Sequence, residues 1–124
     1  MESIAKIRLA VVGWRGYTDY KAFSQHVDHY LSQIDKSNIE YLVSGGARGT
    51  DQMAERYAKE KGYSMIILKP NWNKLGRGAG LARNTDIVEA STHVLAFLSP
   101  ESRGTPDTIN KALSTGRDVT VINI

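Results

Sequence analysis

Residues 39–62 read IEYLVSGGARGTDQMAERYAKEKG and join an apolar run to a helical pattern through a glycine-rich loop. The run at 39–43 is short and rich in Ile, Leu and Val, which is typical of a strand buried in a parallel sheet. From Asp51 to Lys61 the apolar residues recur at helical spacing, and Gly62 provides a helix stop. The stretch therefore predicts one unit of strand, loop and helix.

The same unit repeats along the chain. Helical patterns separate the apolar runs, and Thr18 or Asp19 is available to cap the first helix. Residues 70–80 are irregular, and we interpret them as a loop or a short broken helix. The other apolar runs lie at 7–12, 65–68, 93–98 and 119–124. Because parallel strands need helical crossovers, this alternation predicts an α/β fold: a Rossmann-like three-layer sandwich of about five parallel strands, buried on both faces by helices.

Length and composition limit the class of protein. A chain of 124 residues that is 41% hydrophobic can bury one core, so we expect residues 1–124 to form a single domain. The absence of cysteine excludes disulfides, thiolate metal sites and a cysteine nucleophile. With no leader pattern and no long apolar run, we expect a cytoplasmic protein with no membrane partner. The net charge is +3 and the basic residues are dispersed, so nucleic acid is not an expected partner.

Two glycine-rich loops follow predicted strands, at residues 44–51 and 99–105. In an open parallel sheet the ligand crevice lies at the carboxyl ends of the strands, where both loops would be. Glycines let an anion approach the backbone, and a helix start offers free N–H groups, so a phosphate is the natural ligand. Neither loop is a P-loop or a dinucleotide fingerprint. The alternative is that Gly45, Gly46 and Gly49 only form a tight turn.

Arginines and aromatic residues gather at the same predicted edge. Arginine pairs with phosphate oxygens through a planar fork, so their convergence indicates an anion site, although each alone could be an ordinary surface residue. The arginines are Arg15, Arg48, Arg77, Arg83 and Arg103. Trp14, Tyr17 and Trp72 could stack a base or could be half-buried packing residues.

Metal and cofactor chemistry finds little support in the sequence. His26 and His29 are three residues apart on the first predicted helix, but no third ligand accompanies them, so we favour a solvated helix face. His93 opens a strand, where we expect it to pack. Asp51 could cap its helix or bind a ribose hydroxyl, and we favour capping. We therefore predict neither a metal site nor a cofactor.

Four ordered stretches carry a resemblance to a known family. They are VVGWRGYTDY (11–20), SGGARGTDQMAERYAKEKG (44–62), NWNKLGRGAGLARN (71–84) and AFLSPESRGTPDTINKA (96–112). In them the chain resembles the SLOG superfamily, and within it the YspA/YpsA-like branch of small phage and bacterial proteins. The resemblance implies a nucleotide, ADP-ribose-like or cyclic ligand held between the two glycine loops. It also implies a homo-oligomer, a dimer or higher.

The LOG phosphoribohydrolases of this superfamily allow a comparison by residue. The resemblance places their catalytic arginine on Arg83, and Gly104 and Thr105 keep their phosphate cradle. Thr108 stands where their catalytic glutamate would be, and threonine cannot stabilise an oxocarbenium-like charge or activate water well. Asp107 is the nearest replacement, so the catalytic candidates, if there is catalysis, are Arg83 and Asp107.

The sequence therefore favours a binding protein that senses or sequesters a nucleotide. The alternative is an N-glycosidic nucleotide hydrolase, and a less favoured reading is a DprA-like single-stranded DNA binder. The candidate ligand-binding residues are Gly13, Trp14, Arg15, Ser44, Gly45, Gly46, Ala47, Arg48, Gly49, Thr50, Asp51, Trp72, Gly80, Arg83, Asn84, Ser102, Arg103, Gly104 and Thr105.

Overall fold

The computed structural model describes residues 6–124 and contains a five-stranded sheet in which every neighbouring pair of strands is parallel. The strands are β1 (Ile7–Gly13), β2 (Ile39–Ser44), β3 (Met65–Ile67), β4 (His93–Leu98) and β5 (Asp118–Asn123). Their order is β3-β2-β1-β4-β5, so the direction of winding reverses between β1 and β4. The predicted Rossmann-like α/β fold is confirmed.

Helices cover both faces of the sheet. The α-helices are α1 (Tyr20–Ser32), α2 (Thr50–Lys61), α3 (Trp72–Leu75), α4 (Ala79–Glu89) and α5 (Thr105–Ser114). Alternate residues of β1 point to opposite faces: Leu9 packs in the cluster formed with α1 and α2, and Ala10 in the cluster formed with α4 and α5. The three-layer arrangement follows from this alternation.

Burial on both faces holds for the central strands only. Residues of β1, β2 and β4 are largely buried, as predicted. The prediction is wrong for β3 and β5, where Ile67 and Val121 are 40% and 38% exposed. Both strands lie at the edges of the sheet, and each has a strand neighbour on one side only.

The helix ends agree in part with the expected capping. Asp19 caps α1, since its side chain accepts a hydrogen bond from the Ala22 N–H at 3.1 Å. Gly62 ends α2 in the left-handed conformation with φ of 79°. Residues 70–80 contain α3 and a short 3-10 turn, Gly76–Gly78, so the broken-helix alternative is the correct one. Within residues 6–124, no helix combines the length and the apolar run that crossing a membrane requires.

Phe23 anchors α1 to the sheet, and its replacement tests the core. The ring is fully buried, and its centroid lies 5.0 Å from that of Phe97. We expect Phe23→Ala to lower the free energy of unfolding by about 3–5 kcal/mol, because it leaves a cavity as well as removing apolar contact. Urea denaturation measures the change. Leu113→Ala, at an exposed position on α5, is the control and should change stability by about 0.5 kcal/mol or less. A similar small loss for both variants would contradict this assignment of the core.

Candidate functional site

The loops at the carboxyl ends of β1, β2 and β4 enclose a cleft of about 720 Å³ where the winding of the sheet reverses. We call it the main cleft. The α3–α4 segment forms its remaining wall. A smaller cleft of about 320 Å³, the side cleft, adjoins it beside the first glycine loop. The two clefts share Arg15, Ala47, Trp72 and Arg83 in their linings, so they form one continuous depression.

Most of the predicted ligand-binding residues line one of these clefts. Those of the main cleft are Gly13, Trp14, Arg15, Ala47, Asp51, Trp72, Arg83, Asn84, Arg103, Gly104 and Thr105. Those of the side cleft alone are Gly45, Gly46 and Arg48.

Five predicted residues lie outside both linings, because they hold the loops in place or pack within the fold. Ser44 and Thr50 are fully buried. The Ser102 hydroxyl accepts a hydrogen bond from the Ser99 N–H at 3.0 Å within the second loop. Gly80 lies in α4 close to the ring of Trp72. Gly49 has a packing role as well, at the contact between two loops.

The first glycine loop packs directly on the loop that follows β1. Gly49 has φ of 69°, and a Cβ atom there would lie 2.2 Å from the Arg15 carbonyl oxygen, so only glycine fits. Beside it, the Thr50 hydroxyl donates to the Trp14 carbonyl oxygen at 2.9 Å. These contacts fix the backbone that presents Trp14 and Arg15 to the main cleft.

Asp51 braces the first loop and does not cap α2. The N-cap position belongs to Gly49, and the Asp51 carboxylate accepts a hydrogen bond from the Ala47 N–H at 3.0 Å. The expectation of capping is therefore wrong, because the loop folds back over the start of the helix. Asp51 is only 6% exposed, and burial raises the pKa of its carboxyl although the Ala47 N–H and Arg83 oppose the rise.

Arg83 lies at the junction of the two clefts. Its Nη1 donates to the Gly45 carbonyl oxygen at 2.5 Å, and its Nε donates to Asn84 Oδ1 at 3.2 Å. These two bonds use part of the five N–H groups of a guanidinium, which leaves the others available to a ligand. Burial lowers the pKa of Arg83, Asp51 opposes that change, and the nearby positive charge of Arg15 adds to it. The positive charge of the half-buried Arg83 is thus near that of the exposed Arg15.

Asp107 does not reach the main cleft. Its carboxylate lies 2.8 Å from Lys111 Nζ and accepts a hydrogen bond from Asn84 Nδ2 at 3.1 Å. Thr108, which is 2% exposed, lines the cleft instead. The Asp107 carboxylate, next to Thr108 on α5, is instead engaged by Lys111 and by Asn84, and Asn84 itself lines the cleft. The carboxylates that do line the cleft are Asp51 and Glu101.

The charges around the two clefts are strongly unequal. Glu101 and the buried Asp51 are the acidic lining residues, against six basic ones, whereas the whole chain has 13 acidic and 16 basic residues. The basic residues are Arg15, Arg48, Lys69, Arg77, Arg83 and Arg103. In the described part of the chain, salt bridges involve Arg8, Arg56 and Lys111 but none of these six. None of the six cleft cations thus makes a salt bridge in residues 6–124, although the buried Asp51 carboxylate acts on Arg83 and Arg15 through its charge.

Sequence reasoning missed several lining residues. Lys69 and Pro70 line the side cleft, and their position directly after the third predicted strand could have identified them. Val12 and Ile87 line the main cleft, but their apolar side chains gave no signal beyond membership of the core. No group of His, Asp and Glu in residues 6–124 could hold a metal ion.

Comparison by sequence identifies relatives of this chain. The family model YAcAr, described as the YspA, cpYpsA-related SLOG family, matches residues 7–75. The Gene 61 protein of Mycobacterium phage D29 is 35% identical over 88 residues, which are 66% of this chain and 69% of that protein. The matched family region contains the first glycine loop and α3.

Comparison by structure identifies DNA processing protein A, DprA, from two bacteria. The Streptococcus pneumoniae protein superposes with a TM-score of 0.73 at 22% identity, over 94% of this chain and 50% of that chain. The Helicobacter pylori protein superposes with a TM-score of 0.69 at 22% identity, over 94% of this chain and 65% of that one. This chain thus spans from half to just under two thirds of these neighbours, and at this identity the likeness shows the shared fold.

The Helicobacter pylori structure describes a single-stranded DNA binding mode, which overturns our expectation about nucleic acid. We did not expect such a partner because Lys and Arg are dispersed along the sequence. That argument is wrong: the fold brings basic residues from separate loops to one edge, so a dispersed sequence can still form a concentrated positive surface.

Asp51 makes the stability of the protein depend on pH. Because its pKa is raised in the folded state, the folded protein holds a proton at pH values where the unfolded chain has lost it, and stability falls as the pH rises through that interval. Asp51→Asn keeps an oxygen for the Ala47 N–H and cannot ionise. We expect this variant to be more stable than the wild type at pH 7, with the difference shrinking toward pH of about 4, near the unfolded pKa. Urea denaturation across this range measures it.

The matched control for that experiment is Asp86→Asn, at an exposed position on α4. Its difference from the wild type should show no comparable trend with pH. A constant difference between Asp51→Asn and the wild type would contradict the role given to the buried carboxyl.

Proposed function

Because the chain belongs to the YspA, cpYpsA-related SLOG family, we propose that its main cleft binds a nucleotide or nucleotide-derived molecule, as a cytoplasmic sensor or sequestering protein. The observation that carries the proposal is the half-buried Arg83, which faces both clefts beside a second cation, Arg15. An anion placed between them would relieve the repulsion of the two guanidinium groups and accept their free N–H groups.

The remainder of the cleft suits a nucleoside. Its volume of about 720 Å³ lies within the range in which proteins hold small molecules, roughly 300–1,000 Å³. Trp72, which is 53% exposed, and Trp14 line the cleft, and an indole ring can stack on a base. Thr105, at the start of α5, and the Gly104 backbone offer polar groups to the sugar or phosphate.

Binding is better supported than hydrolysis. The carboxyl of Asp107 is engaged by Lys111 and Asn84, and Thr108 stands in the wall. Of the carboxylates in the lining, Asp51 is buried and bonded to the Ala47 N–H, and Glu101 lies on an exposed loop. The Asp51 carboxylate already has a structural partner, and within residues 6–124 no hydrogen bond orients the Glu101 side chain as a catalytic acid or base would be oriented.

Arg83→Lys tests the proposal. It keeps the positive charge but loses the planar fork, so we expect the affinity for the bound nucleotide to fall about tenfold or more. A thermal-shift screen of nucleoside monophosphates, nucleoside diphosphates, ADP-ribose and cyclic dinucleotides would identify ligands, and isothermal titration calorimetry would measure the affinities. Arg117→Lys is the matched control. Arg117 is also half-buried, but it directly precedes β5 and therefore lies at the amino ends of the strands, away from the clefts.

The screen also has an outcome that rejects the proposal. If no compound stabilises the wild type, and native mass spectrometry of the purified protein finds no nucleotide, the main cleft is not a nucleotide site. Equal losses of affinity in Arg83→Lys and Arg117→Lys would show that the loss comes from a general decrease in protein stability and not from the removal of the Arg83 guanidinium.

Single-stranded DNA binding is a second candidate, favoured by the excess of basic over acidic residues in the linings of both clefts and by the Helicobacter pylori neighbour. Trp72 is exposed and lines both clefts together with basic residues. Single-stranded DNA sites combine such groups, because bases stack on aromatic rings and cationic side chains contact the phosphates.

Two variants separate stacking from phosphate contact in DNA binding. We expect Trp72→Ala to weaken binding of a labelled oligothymidylate by about 1–3 kcal/mol without changing its salt dependence, because stacking releases no counterions. Arg103→Gln should reduce the slope of log affinity against log salt by about 0.7, the value for one phosphate contact. Fluorescence anisotropy measures both. No measurable binding at low salt, or binding unaffected by either variant, would rule out this candidate.

A further inference from the structure

The side cleft differs from the main cleft in its charge. Its lining contains four basic residues and no acidic one: Arg15, Arg48, Lys69 and Arg83. The main cleft, by contrast, also contains Asp51 and Glu101. The cations of the side cleft therefore favour a ligand group that carries more negative charge than the group in the main cleft.

The size of the side cleft limits what that group can be. About 320 Å³ lies at the lower end of the range for small-molecule sites, so it suits a phosphate or a sugar phosphate better than a whole nucleotide. Its walls include the backbone of Gly45 and Gly46, and glycine backbone lets a phosphate approach closely.

The stem of Lys69 packs against Gly46 of the first glycine loop. Gly46 has φ of 70°, and a Cβ atom there would lie 2.9 Å from Lys69 Cγ and 3.2 Å from Lys69 Cε. The stem of Lys69 thus lies across the space that any other residue would fill. Glycine at this position leaves room for the lysine stem to run over the loop, and Lys69 lines the side cleft.

Arg83 and Arg15 line both clefts, so a group bound in one cleft is next to a group bound in the other. We infer that the ligand carries a pyrophosphate unit, with its nucleoside and first phosphate in the main cleft and its second phosphate in the side cleft. Arg48 and Lys69 then determine the preference for two phosphates over one. This inference rests on the proposed nucleotide-binding function and names the class of nucleotide.

The test compares matched pairs of nucleotides. Isothermal titration calorimetry is done with AMP and ADP, GMP and GDP, CMP and CDP, and UMP and UDP, and with ADP-ribose. For at least one pair we expect the wild type to bind the diphosphate about tenfold more tightly or better, since two additional charge-assisted contacts form. In the double variant Arg48→Gln/Lys69→Gln, that preference should fall to about twofold or less.

A matched control removes the same charges elsewhere. Arg56→Gln/Lys59→Gln changes two exposed basic residues of α2, outside the linings of both clefts, and should keep the wild-type preference. Melting temperatures of both double variants check that they fold. A preference that falls equally in the two variants would be an effect of net charge and would overturn the assignment of the side cleft.

The remaining outcomes separate the two proposals. If monophosphates and diphosphates bind the wild type equally, the pyrophosphate inference fails while nucleotide binding stands. If no nucleotide binds, both fail. If the double variant instead weakens only the 5′-phosphorylated dinucleotide pTpT, measured beside dTMP and dTDP, the side cleft holds a phosphate of a DNA strand, and the pyrophosphate inference is overturned.

Discussion

Arg83 donates a hydrogen bond to the Gly45 carbonyl oxygen and another to Asn84, and Asn84 donates to the Gly104 carbonyl oxygen at 3.3 Å. One guanidinium and one amide thus connect the loop after β2 to the loop after β4. Burying a cation costs free energy unless it has partners, and these bonds, with Asp51 nearby, offset that cost. The geometry of both clefts depends on this connection, since Arg83 lines both of them.

Periodicity was sufficient to predict the fold because the core of this sheet is simple. The central strands are apolar runs bounded by glycine or serine, and their loops lie where parallel topology requires. The long-range contacts could not be predicted from the sequence. Nothing local distinguishes Gly49, which makes room for the Arg15 carbonyl, from Gly45, which lines the side cleft. Likewise, Asp51 has the residue type of a cap and begins the helical pattern in the sequence, whereas in the structure it lies inside α2 and accepts a hydrogen bond from the Ala47 N–H.

The positive charge of the two clefts also depends on contacts between residues that are distant in the sequence. Along the chain, consecutive members of the six cleft cations are up to 33 positions apart, between Arg15 and Arg48, and five of the six could be grouped from the sequence only because they follow predicted strands. The parallel sheet brings them together, because the segments that follow β1, β2, β3 and β4 all begin at the carboxyl ends of the strands. A chain with a modest net charge can therefore present a concentrated positive surface, and dispersal in sequence is not an argument against a polyanionic ligand.

The two residues at 107 and 108 show how one helix can divide structural and chemical roles. Thr108 faces the cleft, and Asp107 points along α5 to Lys111, one turn further on. Through Asn84, the Asp107 carboxylate fixes which amide atom faces Arg83: the nitrogen is held by Asp107 and Gly104, so the oxygen is left for the guanidinium. The acidic group closest to the expected catalytic position thus helps to orient a cation, and the cleft wall in front of it is neutral. This division of roles supports the proposal that the main cleft holds an anion and does not cleave a bond next to it.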